Sequence, residues 1–139
     1  MKRKAKPDEK NGKYKAKLLE LREQLTASVS YLEDNAQRSS ELSATRSSSG
    51  SFSSGDHLAD LGADTFEKDR LLRLRECGER AIDEIDAALQ RINEGNYGIC
   101  QGCGKKIPQT RLKALPYARL CVKCQQDQER ADAQYPYGR

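Results

Sequence analysis

The feature that most restricts this chain is Cys100-Gln-Gly-Cys103 followed, after 17 residues, by Cys121-Val-Lys-Cys124. A CxxC in a tight turn places two sulfurs on one edge of a tetrahedron, and a second CxxC supplies the opposite edge. Gly102 and Gly104 are expected to give the first turn its backbone freedom. Disulfides or a redox dithiol are the alternatives, and a single CxxC would leave them open. Met1 to Lys17 carries eight Lys/Arg and two acids with no apolar block behind. No secretory signal is therefore expected, a cytoplasmic location follows, and the thiols should be reduced. The spacing is read as one structural zinc held by Cys100, Cys103, Cys121 and Cys124, with no coordination position left for a substrate.

Such a staple suits a chain with little to bury. Leu, Ile, Val and Phe number 24 of 139 residues, below the usual floor for a well-packed globule. A large enclosed core is excluded, and so is a membrane span, since no run of 18 apolar residues exists. The 25 Lys/Arg nearly balance the 21 Asp/Glu, so the local imbalances carry the information. From Tyr97 to Gln126 there is no acid, but there are Lys105, Lys106, Arg111, Lys113, Arg119 and Lys123. Part of that charge offsets a doubly negative zinc–thiolate centre, and the rest forms a positive surface. The segment between the cysteine pairs is too poor in apolar residues to fold alone, so metal binding contributes its folding free energy.

The other apolar residues fall at helical spacing. Tyr14, Leu18, Leu21, Leu25, Val29 and Leu32 make a narrow stripe over residues 14–45, with the signal fading from Arg38. A second stripe holds Leu71, Ile82, Ile85, Leu89 and Ile92, with Arg75 and Gly78 in its two weak places. Asp64 before Glu67 has capping-box character, which sets the firm start of this helix near Thr65, and Asn93 to Asn96, with Gly95, closes it. Residues 46–55, RSSSGSFSSG, read as a flexible turn between the two. Neither stripe can be buried alone. The economical arrangement is an antiparallel coiled-coil hairpin within one chain, the alternative being pairing with another copy. Cys77 is read as a small packing residue and His57 as a solvated loop residue. Neither makes a nucleophile–base pair, so no enzyme is expected.

The run from Asn96 onward, with Tyr97-Gly98-Ile99-Cys100, Cys103-Gly104, Ile107-Pro108, Arg111-Leu112, Ala114, Pro116, Leu120-Cys121 and Cys124, closely resembles the zinc-finger signature of the DksA/TraR family of bacterial transcription factors. The stretch 56–69 is similar to the hairpin region of some members. The resemblance implies a mainly α fold: a long antiparallel hairpin, a small C-terminal four-cysteine finger at its base, and a short terminal helix. It also implies binding to RNA polymerase rather than to specific DNA, with the hairpin in the secondary channel and acidic tip residues near the catalytic centre. The residues alone leave open a zinc-stapled coiled-coil adaptor for another protein or a non-specific nucleic-acid-binding module, and the within-chain hairpin makes a monomer the expectation. Five acids and one lysine lie between Asp56 and Asp69, and Asp56, Asp60 and Asp64 are the tip candidates. The family's tip motif, D-x-x-D-x-A, is not matched, because Asp56 and Asp60 stand four apart. Positions that in some members help bind guanosine tetraphosphate are Glu84, Leu115 and Gln125 here, none of them positive. The expected division is a basic disordered arm (1–13), the hairpin (14–94), the finger with terminal helix (95–130) and a tail (131–139).

Overall fold

The structure, a computed structural model, describes residues 11–48 and 56–135. Four helices account for most of them: α1 (Gly12–Ser48), α2 (Asp56–Glu94), α3 (Gln109–Ala114) and α4 (Val122–Gln134). Among the described residues the only β pairing is an isolated antiparallel bridge between Ile99 and Lys106. No described helix is long and apolar enough to cross a membrane. The chain divides into two compact units, residues 22–82 and residues 1–21 with 83–139.

In the 22–82 unit the stripes are the buried faces. Leu25, Val29, Leu32, Leu71 and Ile82 are half-buried, whereas their neighbours along each helix are mostly exposed. Both weak places of the second stripe have a physical reason. A Cβ on Gly78 would lie 2.6 Å from a Val29 methyl, so the helices approach there because a side chain is missing. Arg75 donates to Glu79 at 2.9 Å and reaches Glu33 of α1 at 3.7 Å. Residue 29 faces 78 and residue 33 faces 75, so α1 and α2 run antiparallel through this unit. None of its described residues is fully buried, which is what a narrow two-helix seam provides.

The other unit holds the deeper packing. Leu18, Ile85 and Ala88 are completely buried, and Ile92 nearly so. The α2 C-terminus closes as expected. Gly95 takes φ 77°, its N–H donates to the Ile92 carbonyl at 3.2 Å, and Asn96 N–H donates to Arg91 at 2.9 Å. That pair of bonds is a Schellman motif.

Several boundaries differ from the sequence expectation. α1 does not fade at Arg38 but runs to Ser48. The hydroxyls that weaken the sequence signal are satisfied on the helix itself: Ser39 donates to Asn35 O, Ser40 to Ala36 O and Thr45 to Glu41 O, at 2.9, 3.1 and 2.9 Å. α2 begins at Asp56 rather than near Thr65, so Asp64 and Glu67 lie inside it and form no capping box. Glu67 instead pairs with Arg70 at 3.8 Å. Of the serine-rich stretch, residues 46–48 are helical and 49–55 lie outside the described residues. Of the basic arm, Gly12 and Lys13 belong to α1, and residues 1–10 lie outside the described set. Residues 131–134 extend α4 into the expected tail, and 136–139 are not described. Cys77 is exposed, not a packing residue, because its position next to Gly78 turns it off the seam. His57 sits on the α2 backbone rather than in a loop, and its side chain lies outside the described residues.

Candidate metal centre

The centre is assembled by three short pieces of backbone. Gly98, at φ 81°, and Gly104, at φ 70°, bracket a turn in which Cys100 N–H donates to Lys105 O and Gly104 N–H donates to Cys100 O, at 2.8 and 2.9 Å. This turn presents Cys100 and Cys103. Cys121 stands immediately before α4, and Cys124 occupies the helix's first turn. Gln101 N–H donates to Arg119 O at 3.0 Å, which sews the two cysteine-bearing segments together. Gly104 has the conformational role expected of it. Gly102 has a different one, because a Cβ there would meet the Cys124 sulfur at 3.0 Å. It is a close-approach glycine.

The four ligand sulfurs all lie within 4.8 Å of one another, and Cys103 Sγ stands 3.9 Å from Cys121 Sγ. Zn–S bonds of about 2.3 Å in a tetrahedron require S···S edges of roughly 3.8 Å. The donor set therefore fits one zinc ion, and its four soft thiolates leave no open position. Burial alone would raise the Cys100 thiol, but N–H groups of Cys121, Cys103 and Gly102 bring it down to about 6. The Cys121 N–H reaches its sulfur at 3.2 Å. Cys121 is also lowered, mainly by a backbone hydrogen bond from Cys124, while hydrogen bonding with Cys121 pushes Cys124 up to about 12.

A small core lies beside the sulfurs. Ile107, Leu112, Ala118 and Leu120 are buried with Cys100, and Tyr14, Tyr97, Cys121 and Cys124 pack on them. Tyr14, from the first turn of α1, packs against Tyr97 with the rings tilted and their centroids 5.5 Å apart, and donates to Gln109 at 3.1 Å. Tyr97 donates to Pro116 O at 2.6 Å. Its burial, with Tyr14 alongside, raises its hydroxyl to about 12. Arginines brace the loops: Arg91 donates to Tyr117 O at 3.3 Å and Arg111 to Leu120 O at 3.0 Å. Burial lowers the Arg91 guanidinium.

The four cysteines are thus brought together as the spacing requires. The side chains of Asp56, Asp60 and Asp64 lie outside the described residues, although all three positions are on α2, one turn apart. At the three alarmone-equivalent positions, Glu84 pairs with Arg119 at 3.5 Å, Leu115 is exposed, and Gln125 donates to Glu129 at 2.9 Å. Sequence reasoning missed the Tyr14–Gln109 and Arg91–Tyr117 links. Tyr14 was visible only as the first residue of the helical stripe, and nothing in the sequence marks Arg91.

Comparison with known proteins agrees with this site. Residues 95–130 match the prokaryotic dksA/traR C4-type zinc finger. General stress protein 16O of Bacillus subtilis is 33% identical over 115 residues, covering 81% of this chain and 64% of that protein. The RNA polymerase-binding transcription factor DksA of Caulobacter vibrioides is 36% identical over 75 residues, covering 54% and 53%. The solved structure of transcription factor DksA2 from Pseudomonas aeruginosa superposes with a TM-score of 0.69 at 26% identity, covering 91% of this chain and 89% of that one. The matched stretches span between about half and just under two thirds of the curated relatives' length.

Proposed function

Through its finger this chain is a member of the DksA/TraR C4-type zinc-finger family, and from that premise we propose that it regulates transcription by binding RNA polymerase directly. The reading rests on one observation above the others: the likeness to DksA2 extends over 91% of the chain, helices and finger together, rather than over the finger alone. Cys100, Cys103, Cys121 and Cys124 are its zinc ligands, and the closed ion organises the finger without taking part in chemistry. The protein acts in the cytoplasm as a monomer and reads no DNA sequence. The antiparallel α1–α2 pair enters the secondary channel, and Asp56, Asp60 and Asp64 approach the magnesium-centred catalytic site. Carboxylates suit that approach, since magnesium takes oxygen ligands.

The test is capture of purified RNA polymerase by the zinc-loaded protein, repeated with a competitor that occupies the secondary channel. Stoichiometric capture lost on competition is expected. Capture unaffected by the competitor would refute the channel, and no capture would refute the polymerase as partner.

A further inference from the structure

Of the 17 residues between Cys103 and Cys121, four are gripped by side chains that lie outside that stretch. Tyr14 donates to the Gln109 side chain at 3.1 Å, and Lys17 Nζ to the Lys113 carbonyl at 2.8 Å. Tyr97 donates to the Pro116 carbonyl at 2.6 Å, and Arg91 to that of Tyr117 at 3.3 Å. The grips fall toward both ends of α3 and on the residues just after it. Two of the four come from the first turns of α1, 95 and 96 residues away along the chain.

These contacts bear on a metal that needs both cysteine pairs at once. A loose connector costs chain entropy whenever its ends are brought together. Here the connector buries Ile107, Leu112, Ala118 and Leu120 beside Cys100, and Tyr14 and Tyr97 pack on that small core. Contacts made only when the connector takes this course add their free energy to metal binding. Tyr14 offers two of them, the bond to Gln109 and a ring whose centroid lies 5.5 Å from that of Tyr97. Lys17 lies three residues on, and so on the same face of the helix. Leu18, completely buried, packs down that end of α1.

We propose that Tyr14 and Lys17 are positioning residues for the zinc site. Through them the start of α1 sets how tightly the ion is held, and by linkage the ion sets how firmly the start of α1 is packed. The proposal rests on the four cysteines holding zinc and is independent of the polymerase. The experiment uses the full chain, titrated with cobalt(II) and then with zinc against a chelator of known affinity. Tyr14→Ala should weaken zinc binding about 10- to 100-fold through loss of the ring pair and the hydrogen bond. Tyr14→Phe and Lys17→Met each lose one hydrogen bond and should weaken it about threefold. Every cobalt-loaded variant should keep the four-thiolate charge-transfer spectrum of the parent, since the ligands are untouched. Val29→Ala loosens the seam of the other unit and should leave zinc affinity within about twofold. In the parent, removing zinc should speed amide exchange at residues 15–19. Should Tyr14→Ala fail to yield folded protein, Tyr14→Phe and Lys17→Met carry the test. Parent protein that holds no zinc would overturn the ligand assignment and this proposal with it. One zinc per chain with unaltered affinity in the Tyr14 and Lys17 variants would overturn this proposal alone. So would an equal loss in Val29→Ala, which would reduce the effect to general stability, or exchange at residues 15–19 that ignores zinc.

Discussion

Gly102 shows how a side chain that is not there can fix a metal site. Its Cα approaches Cys124 so closely that an added methyl would sit 3.0 Å from the sulfur. Gly102→Ala should therefore weaken zinc binding by about 1–3 kcal/mol, the usual cost of overpacking, or roughly 5- to 150-fold. Competition against a chelator of known affinity measures this, and an unchanged affinity would show that the turn yields freely. The ligands themselves were legible in the sequence because CxxC spacing is set by local geometry. The function of Gly102 was not, because close approach depends on a residue 22 positions away. Tyr97 offers a second test. Burial holds its hydroxyl near 12, above the ordinary tyrosine value of about 10. The unfolded state then loses this proton first as pH rises. Stability linked to Tyr97 is intact below pH ~10 and declines from there to about 12. One tyrosine should titrate late in the ultraviolet, and Tyr97→Phe should abolish both that late titration and its share of the alkaline stability loss.

At the level of elements, two glycines on α2 have opposite expectations. Gly78 faces a Val29 methyl 2.6 Å from where its Cβ would be, whereas Gly62 has nothing within 4 Å. Gly62→Ala should stabilise α2 by about 1 kcal/mol through helix propensity alone. Gly78→Ala gains the same propensity but meets a β-branched side chain with one strongly preferred rotamer. It should be neutral or destabilising by up to ~2 kcal/mol, and Val29→Ala should reverse the loss. Thermal melts of the four proteins decide it, and equal stabilisation by both alanines would mean the helices part easily at Val29. The stripes that pair α1 with α2 were readable because burial repeats with the helix period. The helix ends were not. Ser39, Ser40 and Thr45 lie where the helical signal fades, yet they return their hydroxyls to the preceding turn. Asp64 and Glu67 mimic a helix start inside a helix that had begun two turns earlier. Local sequence cannot report that a facing helix of 37 residues gives both segments something to pair with.

For the molecule as a whole, charge is unevenly divided. The finger-bearing unit has 17 Lys/Arg and 10 Asp/Glu, and the 22–82 unit has 8 and 11. If the second unit carries the working acids, Asp56→Asn/Asp60→Asn should weaken regulation of initiation while polymerase affinity stays within about threefold, less than ~1 kcal/mol. Asp64→Asn belongs with them, since its place inside α2 closes the capping role to it. Transcription assays paired with affinity measurement separate the outcomes, and full regulation by the double variant would leave channel occupancy as the mode of action. The overall charge division was visible in the sequence. The meeting of Tyr14 with Gln109, 95 residues apart, was not, since neither residue signals a partner. That separation has a bearing on how the protein is made. At ~5–20 residues per second, the first turns of α1 leave the ribosome about 5 to 20 seconds before the residues that cover them exist. The module that covers them is also the one that needs zinc. Metal supply during translation therefore decides how long the beginning of the chain waits uncovered, and a zinc-starved cell would expose it first to proteases.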